Sequence, residues 1–184
     1  EWLKRVPLAL PVLSHFLSLM QYRTGRASGT HKRDRLFHRK TSMHTSLTCA
    51  MCGTDHAVDQ LQNLCTECEK PLLAHYDLDA IKSTFTPETV RKRTIRSMWK
   101  FWDVLPVDDP SEAVSLGEGL TPLLTCNRTG PFEAFENLFI KDESFNPTGS
   151  FKARGMSAAV TRAKSLGVET VALPSAGNAA GAAT

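Results

Sequence analysis

Asp142-Glu143-Ser144-Phe145-Asn146-Pro147-Thr148-Gly149-Ser150-Phe151-Lys152-Ala153-Arg154-Gly155 is the stretch on which the reading of this chain turns. Its first part, Asp142–Gly149, combines Asp, Asn, Pro and Gly and reads as a sharp loop. From Ser150 to Leu166 the apolar residues Phe151, Met156, Ala159, Val160, Ala163 and Leu166 recur at helical spacing. Gly167 stands where a glycine past the last turn would end that helix. Short strands are expected on either side: Thr121–Thr125 and Asn137–Lys141 before the loop, and Glu169–Leu173, buried, after the helix. A second sharp loop, Pro174–Gly177, then leads into an Ala-rich stretch that begins another helix. Strand, loop and helix repeated in this order predict an α/β fold, with a parallel or mixed sheet and flanking helices. Ligands of such folds sit at the carboxyl ends of strands, beside helix N-termini.

Lys152 falls in the first turn of its helix, where the partially positive helix end disfavours a second cation and an acidic residue would be the stabilising choice. That placement suits a lysine that works as a free amine toward a carbonyl. An exposed lysine leaning out of an N-terminal turn is the plain alternative. The second loop, Ser175-Ala176-Gly177-Asn178, offers successive backbone N–H groups ahead of a helix, a cradle for a carboxylate or phosphate. A capped turn before a helix would use the same residues.

Upstream, Cys49-Ala50-Met51-Cys52 and Cys65-Thr66-Glu67-Cys68 form two C-x-x-C pairs separated by twelve residues. Each pair can turn two thiolates onto one ion, and two pairs complete a tetrahedron, so a structural Zn(2+) site is expected. Gly53 supplies the turn freedom that the first pair needs. Four sulfurs leave no open coordination position, so the metal would hold structure and do no chemistry. Disulfides or a redox pair are the competing readings.

The 184 residues are 41% hydrophobic and 22% charged, an ordinary globular composition without an apolar run long enough to span a membrane. The small net charge of +3 does not announce a nucleic-acid binder. Residues 1–48 carry nine Lys/Arg against two acidic residues, so the basicity belongs to the first quarter and the remainder is net acidic. Residues 1–42 are read as an upstream or disordered basic extension, with Met43 as a start; a targeting segment or a basic arm compete with that reading. Residues 43–76 are read as a zinc-ribbon-like module and 77–110 as a helical connector. In the connector, Thr86 caps a helix that opens on Pro87, and the face bearing Arg91, Lys92, Arg93 and Arg96 is solvated. Residues 111–184 are read as the opening, truncated part of the α/β domain that carries the lysine loop.

Together the loops resemble a known family. Asn146–Gly155, preceded by Ile140-Lys141-Asp142-Glu143, is similar to the lysine motif of fold-type II pyridoxal-phosphate enzymes. Pro174-Ser175-Ala176-Gly177-Asn178-Ala179-Ala180 resembles their asparagine loop. Ser115-Leu116-Gly117-Glu118-Gly119-Leu120-Thr121-Pro122-Leu123 resembles the opening segment of threonine synthases, one branch of which carries a four-cysteine module ahead of it. The likeness covers roughly residues 47–184.

The resemblance implies pyridoxal 5'-phosphate held by Lys152 as a Schiff base, with Phe151 beside the ring and Asn178 bonded to its phenolate oxygen. It implies N–H groups of Ser175, Ala176 and Gly177 on the substrate carboxylate. The implied reaction is that of a carbon–oxygen lyase acting on phosphate, converting O-phosphohomoserine and water to threonine and phosphate. The implied setting is cytoplasmic, in a homo-oligomer, without membrane or nucleic-acid partners. Threonine dehydratases, cysteate synthases and diaminopropionate lyases share the lysine loop and are alternatives, as is a non-enzymatic zinc-ribbon binding module. The family's glycine-rich phosphate loop and its residue facing the pyridine nitrogen have no counterpart in the 184 residues, so the chain is expected to be an N-terminal piece, inactive alone.

Overall fold

The computed structural model of the chain describes residues 21–23, 44–126, 135 and 137–184. The expectation for residues 1–42 lies outside the described residues, apart from a short strand β1 (Gln21–Arg23).

The cysteine module is a three-stranded antiparallel sheet of β2 (His44–Cys49), β3 (Asp55–His56) and β4 (Leu72–Tyr76), with β2 in the centre. Leu47 stands opposite both His56 and Ala74. Its core is small: Cys49, Cys65 and Leu72, with Leu47 and Cys68 against them. So little apolar area does not hold a fold by itself, and the thiols must contribute more than burial.

The connector starts with α1 (Leu78–Lys82), capped by the Asp77 carboxylate on the Ala80 N–H. Next comes α2 (Pro87–Lys92), opened by Pro87 and capped by Thr86 on the Thr89 N–H at 3.2 Å, as its sequence predicts. Ile81, Phe85 and Val90 bury together against Tyr76, Phe101 and Val104. The helix does not continue, because Arg93 turns extended and its guanidinium folds inward. It donates to both carboxylate oxygens of Asp103, at 2.5 and 2.9 Å, and to the Lys100 carbonyl at 2.6 Å. It also faces the rings of Phe85 and Trp102, 5.9 and 5.3 Å from their centroids. Arg91, Lys92 and Arg96 are exposed as expected, but the Arg93 side chain is turned inward and only 14% exposed. The chain resumes as a 3₁₀ segment, Met98–Val104, whose Trp99 is almost fully buried.

In the last third, β5 (Leu123–Thr125) pairs antiparallel with β6 (Phe139–Lys141), Leu124 opposite Ile140. The lysine helix α3 (Lys152–Ser165), β7 (Thr170–Ala172) and the short α4 (Asn178–Ala183) follow. Among the described residues no helix is long and apolar enough to cross a membrane.

The parallel pairing expected for these strands is not formed among the described residues. The β5 and β6 strands pair antiparallel, with Leu123 opposite Lys141 and Thr125 opposite Phe139. The crossover helix α3 does join β6 to β7, but these lie in separate sheets, and β7 pairs antiparallel with β1, Val171 opposite Tyr22. Nor is β7 buried on both faces: Val171 is half-buried, flanked by exposed Thr170 and Ala172. Thr121 and Pro122 precede β5: the Thr121 hydroxyl donates to Glu143, and the Pro122 carbonyl accepts from the Asp142 N–H.

Two different faces of α3 are buried. Met156 and Ala159 pack with Val171 and Leu173 around β7 and with Ala179, Ala182 and Ala183 of α4. Ala158 packs against Met98 and Trp99 of the connector. On that side the indole N–H of Trp99 donates to Ser157 Oγ at 3.0 Å, Ser157 donates to the Val114 carbonyl at 2.7 Å, and the Val114 N–H donates to Thr161 Oγ1 at 2.9 Å. Phe151 does not join the buried face: it precedes the helix and is 49% exposed. Gly167, with φ of +77°, ends α3 as expected, the Val168 N–H bonding back to the Ala163 carbonyl.

Removing one partner of the Arg93–Asp103 pair leaves the other charge buried and unpaired. Asp103→Ala is therefore expected to lower unfolding free energy by about 3 kcal/mol in urea titrations. Glu88→Ala, which breaks only the exposed pair with Lys92, should change it by less than about 0.5 kcal/mol.

Candidate functional site

The lysine loop is organised around one carboxylate. Glu143 lies in a 3₁₀ turn, Glu143–Phe145, capped by Asp142. Its Oε1 accepts from the Thr121 hydroxyl at 2.6 Å and from Arg154 Nη2 at 2.8 Å. Its Oε2 accepts from Arg154 Nε at 2.6 Å and from the Asn146 amide at 2.9 Å. The Arg154 guanidinium beside it, assisted by Thr121 and Asn146, holds the Glu143 carboxyl down to about 2 against its ordinary 4.5. Arg154 sits one half-turn after Lys152, so this bidentate pair fixes the start of α3 to the loop before it.

Asn146 carries the order further. It is buried, and its side-chain oxygen accepts from the Gly119 N–H at 3.0 Å. Gly119 has φ of +104°, and a Cβ there would meet the Met98 nitrogen at 2.7 Å and Arg154 Nη1 at 3.1 Å. The preceding Glu118 is buried, accepts from Ser115 Oγ at 2.6 Å and from the Leu116 N–H at 2.9 Å, and passes its carbonyl to the Met98 N–H. The segment 115–121 thus seats the lysine loop on the connector. Glu143, Arg154, Asn146, Glu118 and Gly119 were in plain view as sequence but not identified as a working group. The available signal was a charged pair eleven residues apart flanking a Pro-Thr-Gly turn.

Lys152 is the first residue of α3, half-buried, with its ammonium 4.6 Å from the Phe151 ring centroid and no acidic residue in the first turn of the helix. Two hydroxyls just upstream, Thr148 Oγ1 and Ser150 Oγ, are buried without a hydrogen-bond partner among the described residues. Buried orphan hydroxyls are uncommon, and these fit a polar group brought up against the loop.

The second loop lies across the same helix pair. Asn178 is the first residue of α4, next to Ala179, which packs into the cluster of Met156 and Ala159. Met156 is one helical turn, roughly 6 Å of rise, beyond Lys152. The two loops are therefore joined by helix packing. Gly177 adopts φ of +144°, and Ser175, Ala176, Gly177 and Asn178 are exposed. Ser175 Oγ accepts from the N–H groups of Gly177 at 3.0 Å and Ala180 at 3.1 Å, so the Gly177 amide already has a partner within the loop.

The cysteines form a separate cluster. The sulfurs of Cys49, Cys52, Cys65 and Cys68 all lie within 4.8 Å of one another, and none of the four is in a disulfide. Close sulfur pairs stand 3.4 Å (Cys49–Cys68) and 3.6 Å (Cys52–Cys65) apart, far beyond the ~2.05 Å of a disulfide. A tetrahedron with Zn–S of about 2.3 Å has edges of about 3.8 Å, so the set fits such an ion. The two knuckles repeat one another: N–H groups of Met51 and Cys52 point at Cys49 Sγ, and that of Glu67 at Cys65 Sγ, each at 3.4 Å. At Cys49 these N–H contacts, that of Cys52 foremost, draw the thiol below its ordinary range.

Residues 114–184 match the family described as Pyridoxal-phosphate dependent enzyme. The chain is 45% identical over 130 residues to a threonine synthase of Methanocaldococcus jannaschii, covering 71% of this chain and 32% of that one. It is 39% identical over 136 residues to a threonine synthase of Methanosarcina acetivorans, covering 74% and 32%. A threonine synthase of Halalkalibacterium halodurans is 39% identical over 92 residues, 47% of this chain and 26% of that one. The chain thus spans about a third of the length of the curated relatives it matches. No solved structure matches it.

Glu143 is ionised in the fold well below its ordinary range, so it stabilises fully above about pH 4.5, and this contribution is lost as pH falls toward 2. Urea midpoints should drop over that interval by the equivalent of about 1–2 kcal/mol in the native chain, since the partly exposed pair is screened by solvent. With Glu143→Gln, stability should be lower at neutral pH and its fall over the same interval correspondingly shallower.

Proposed function

From this kinship with threonine synthases, we propose that the chain supplies the lysine-bearing part of a threonine synthase, which forms threonine and phosphate from O-phosphohomoserine and water. The observation that carries this reading is the placement of Lys152: first residue of α3, on a loop pinned by Glu143, Arg154 and Asn146, in one packed unit with the Asn178 loop.

The residues present suit pyridoxal 5'-phosphate. Lys152 would hold it through its amine, Phe151 would lie beside the ring, and the Asn178 amide would bond the ring oxygen. When bound, this cofactor supplies an electron sink for charge developing at the substrate's Cα. The Lys152 amine would move protons at Cα and Cβ, and the Arg154–Glu143 pair would keep its helix end from shifting. Ser175, Ala176 and Gly177 would take the substrate carboxylate. A turn of the Ser175 side chain about its Cα–Cβ bond would carry its Oγ away from Gly177 and free one of those N–H groups. The half-exposed Phe151 ring restricts water on its side of the amine. The cysteine cluster would carry structural Zn(2+), with no catalytic share.

Incubation with pyridoxal 5'-phosphate followed by borohydride should attach the cofactor covalently at Lys152, read by peptide mass spectrometry. Lys152→Ala should abolish attachment at that position. Labelling spread evenly over exposed lysines, with no preference for Lys152, would sink the assignment. Purified under reducing conditions, the chain should hold about one equivalent of zinc, and Cys65→Ser should lose most of it.

A further inference from the structure

Arg162 is placed in the last full turn of α3, ten residues after Lys152, and reaches out of the lysine helix into the cysteine module. Its Nη2 donates to the carbonyl of Val58, while Nη1 contacts Ser165 Oγ at 3.3 Å. Val58 belongs to the twelve-residue loop between Cys52 and Cys65, two residues beyond the end of β3. Asp59 of that loop, Tyr76 at the end of β4 and Asp108 of the linker also face the guanidinium, and burial lowers its proton affinity from the ordinary arginine value. A long cation in the last turn of a helix ordinarily stays near its own helix's carbonyls, in water. This one is drawn into a neighbouring module instead.

We propose that Arg162 is a positioning residue: it ties the loop between the two cysteine pairs to the lysine helix, so that a metal ion on the four cysteines steadies the helix end bearing Lys152. Past β3, the loop that presents the Val58 carbonyl has no further regular structure, and its two ends are the cysteines themselves. An ion bridging Cys52 and Cys65, whose sulfurs are 3.6 Å apart, closes that loop and fixes the carbonyl. Without it, the Val58 acceptor is free to wander and the guanidinium loses its anchor. A helix transmits displacement along its axis, and ten residues is only about 15 Å. The Arg154–Glu143 pair restrains the near end of α3 and Arg162 the far end.

Hydrogen exchange of the whole chain, followed by mass spectrometry in the zinc-loaded and the chelated, reduced states, tests this without pyridoxal 5'-phosphate. Its outcome is therefore independent of the proposed reaction. Chelation should speed exchange about tenfold in two places: the last turn of α3, residues 162–166, and its first turn, residues 152–156. Arg162→Met should show the same loosening while still holding about one equivalent of zinc, and chelation should then add nothing in α3. Arg162→Lys, which keeps a donor, should restore most of the protection in the first turn. If chelation opens residues 44–76 and leaves α3 unchanged, the proposal is wrong. It is equally wrong if Arg162→Met loosens only residues 162–166. Should Arg162→Met not fold, chelation of the unaltered chain decides the matter alone.

Discussion

Four donors on one carboxylate hold the lysine loop in its shape. Glu143 takes two from Arg154, one from Thr121 and one from Asn146, using both of its oxygens fully. The donors come from three pieces of chain: the helix, the segment leading into β5, and the loop itself. A partly buried carboxylate with this many charge-assisted and neutral bonds is costly to disturb, because any one removal leaves the others facing an under-satisfied charge. The loop therefore behaves as one unit. Asn146 extends it to Gly119, and Gly119 to the connector through a contact too close for any side chain.

The boundaries of the elements were largely legible. Thr86-Pro87 opened a helix, Gly167 closed one, and Lys152 and Asn178 each fell at a helix start, since capping and turn chemistry are local. The cysteine spacing gave the cluster for the same reason. What failed was non-local. Arg93 reads as one of four basic residues on a solvated face, and nothing near it in sequence reveals that Asp103 will fold back onto it. Strand direction failed similarly: a run of three apolar residues says that a strand exists, not which neighbour it finds, and the β5–β6 return and the β1–β7 pair are decided by chain geometry. In the site, Lys152 and Asn178 were named from motif, whereas Glu143 and Arg154 were passed over. Their value lies in a mutual distance that sequence does not state.

The two cysteine knuckles show how little local residue identity decides once geometry is imposed. The position after the first pair is Gly53, at φ of +74°, and after the second pair Glu69, at +56°, with both N–H groups bonded back to the first cysteine's carbonyl, at 3.2 and 2.9 Å. A non-glycine residue in that region costs on the order of 1 kcal/mol. The second knuckle bears that cost because its Cys65 is buried in the small core and its sulfur must meet the other three. Convergence of the sulfurs outranks backbone preference there.

The same ranking explains why α3 is built of small residues with hydroxyls among them. Burial of Ala158, Ala159 and Met156 removes area from water but is indifferent to how the helix is turned about its own axis. Successive residues differ by about 100°, so a modest rotation would swing Lys152 away from the Asn178 loop while keeping nearly all apolar contact. Directional bonds remove that freedom. Ser157 and Thr161 clasp the Val114 backbone on one side and Trp99 fixes Ser157, while Arg154 grips Glu143 at the N-terminal end and Arg162 grips Val58 at the other. Small side chains between these points let the connector approach closely enough for the hydroxyls to reach it. The orientation of the reactive amine is thus set by hydrogen bonds at several heights along one helix, with hydrophobic burial supplying the adhesion and not the aim.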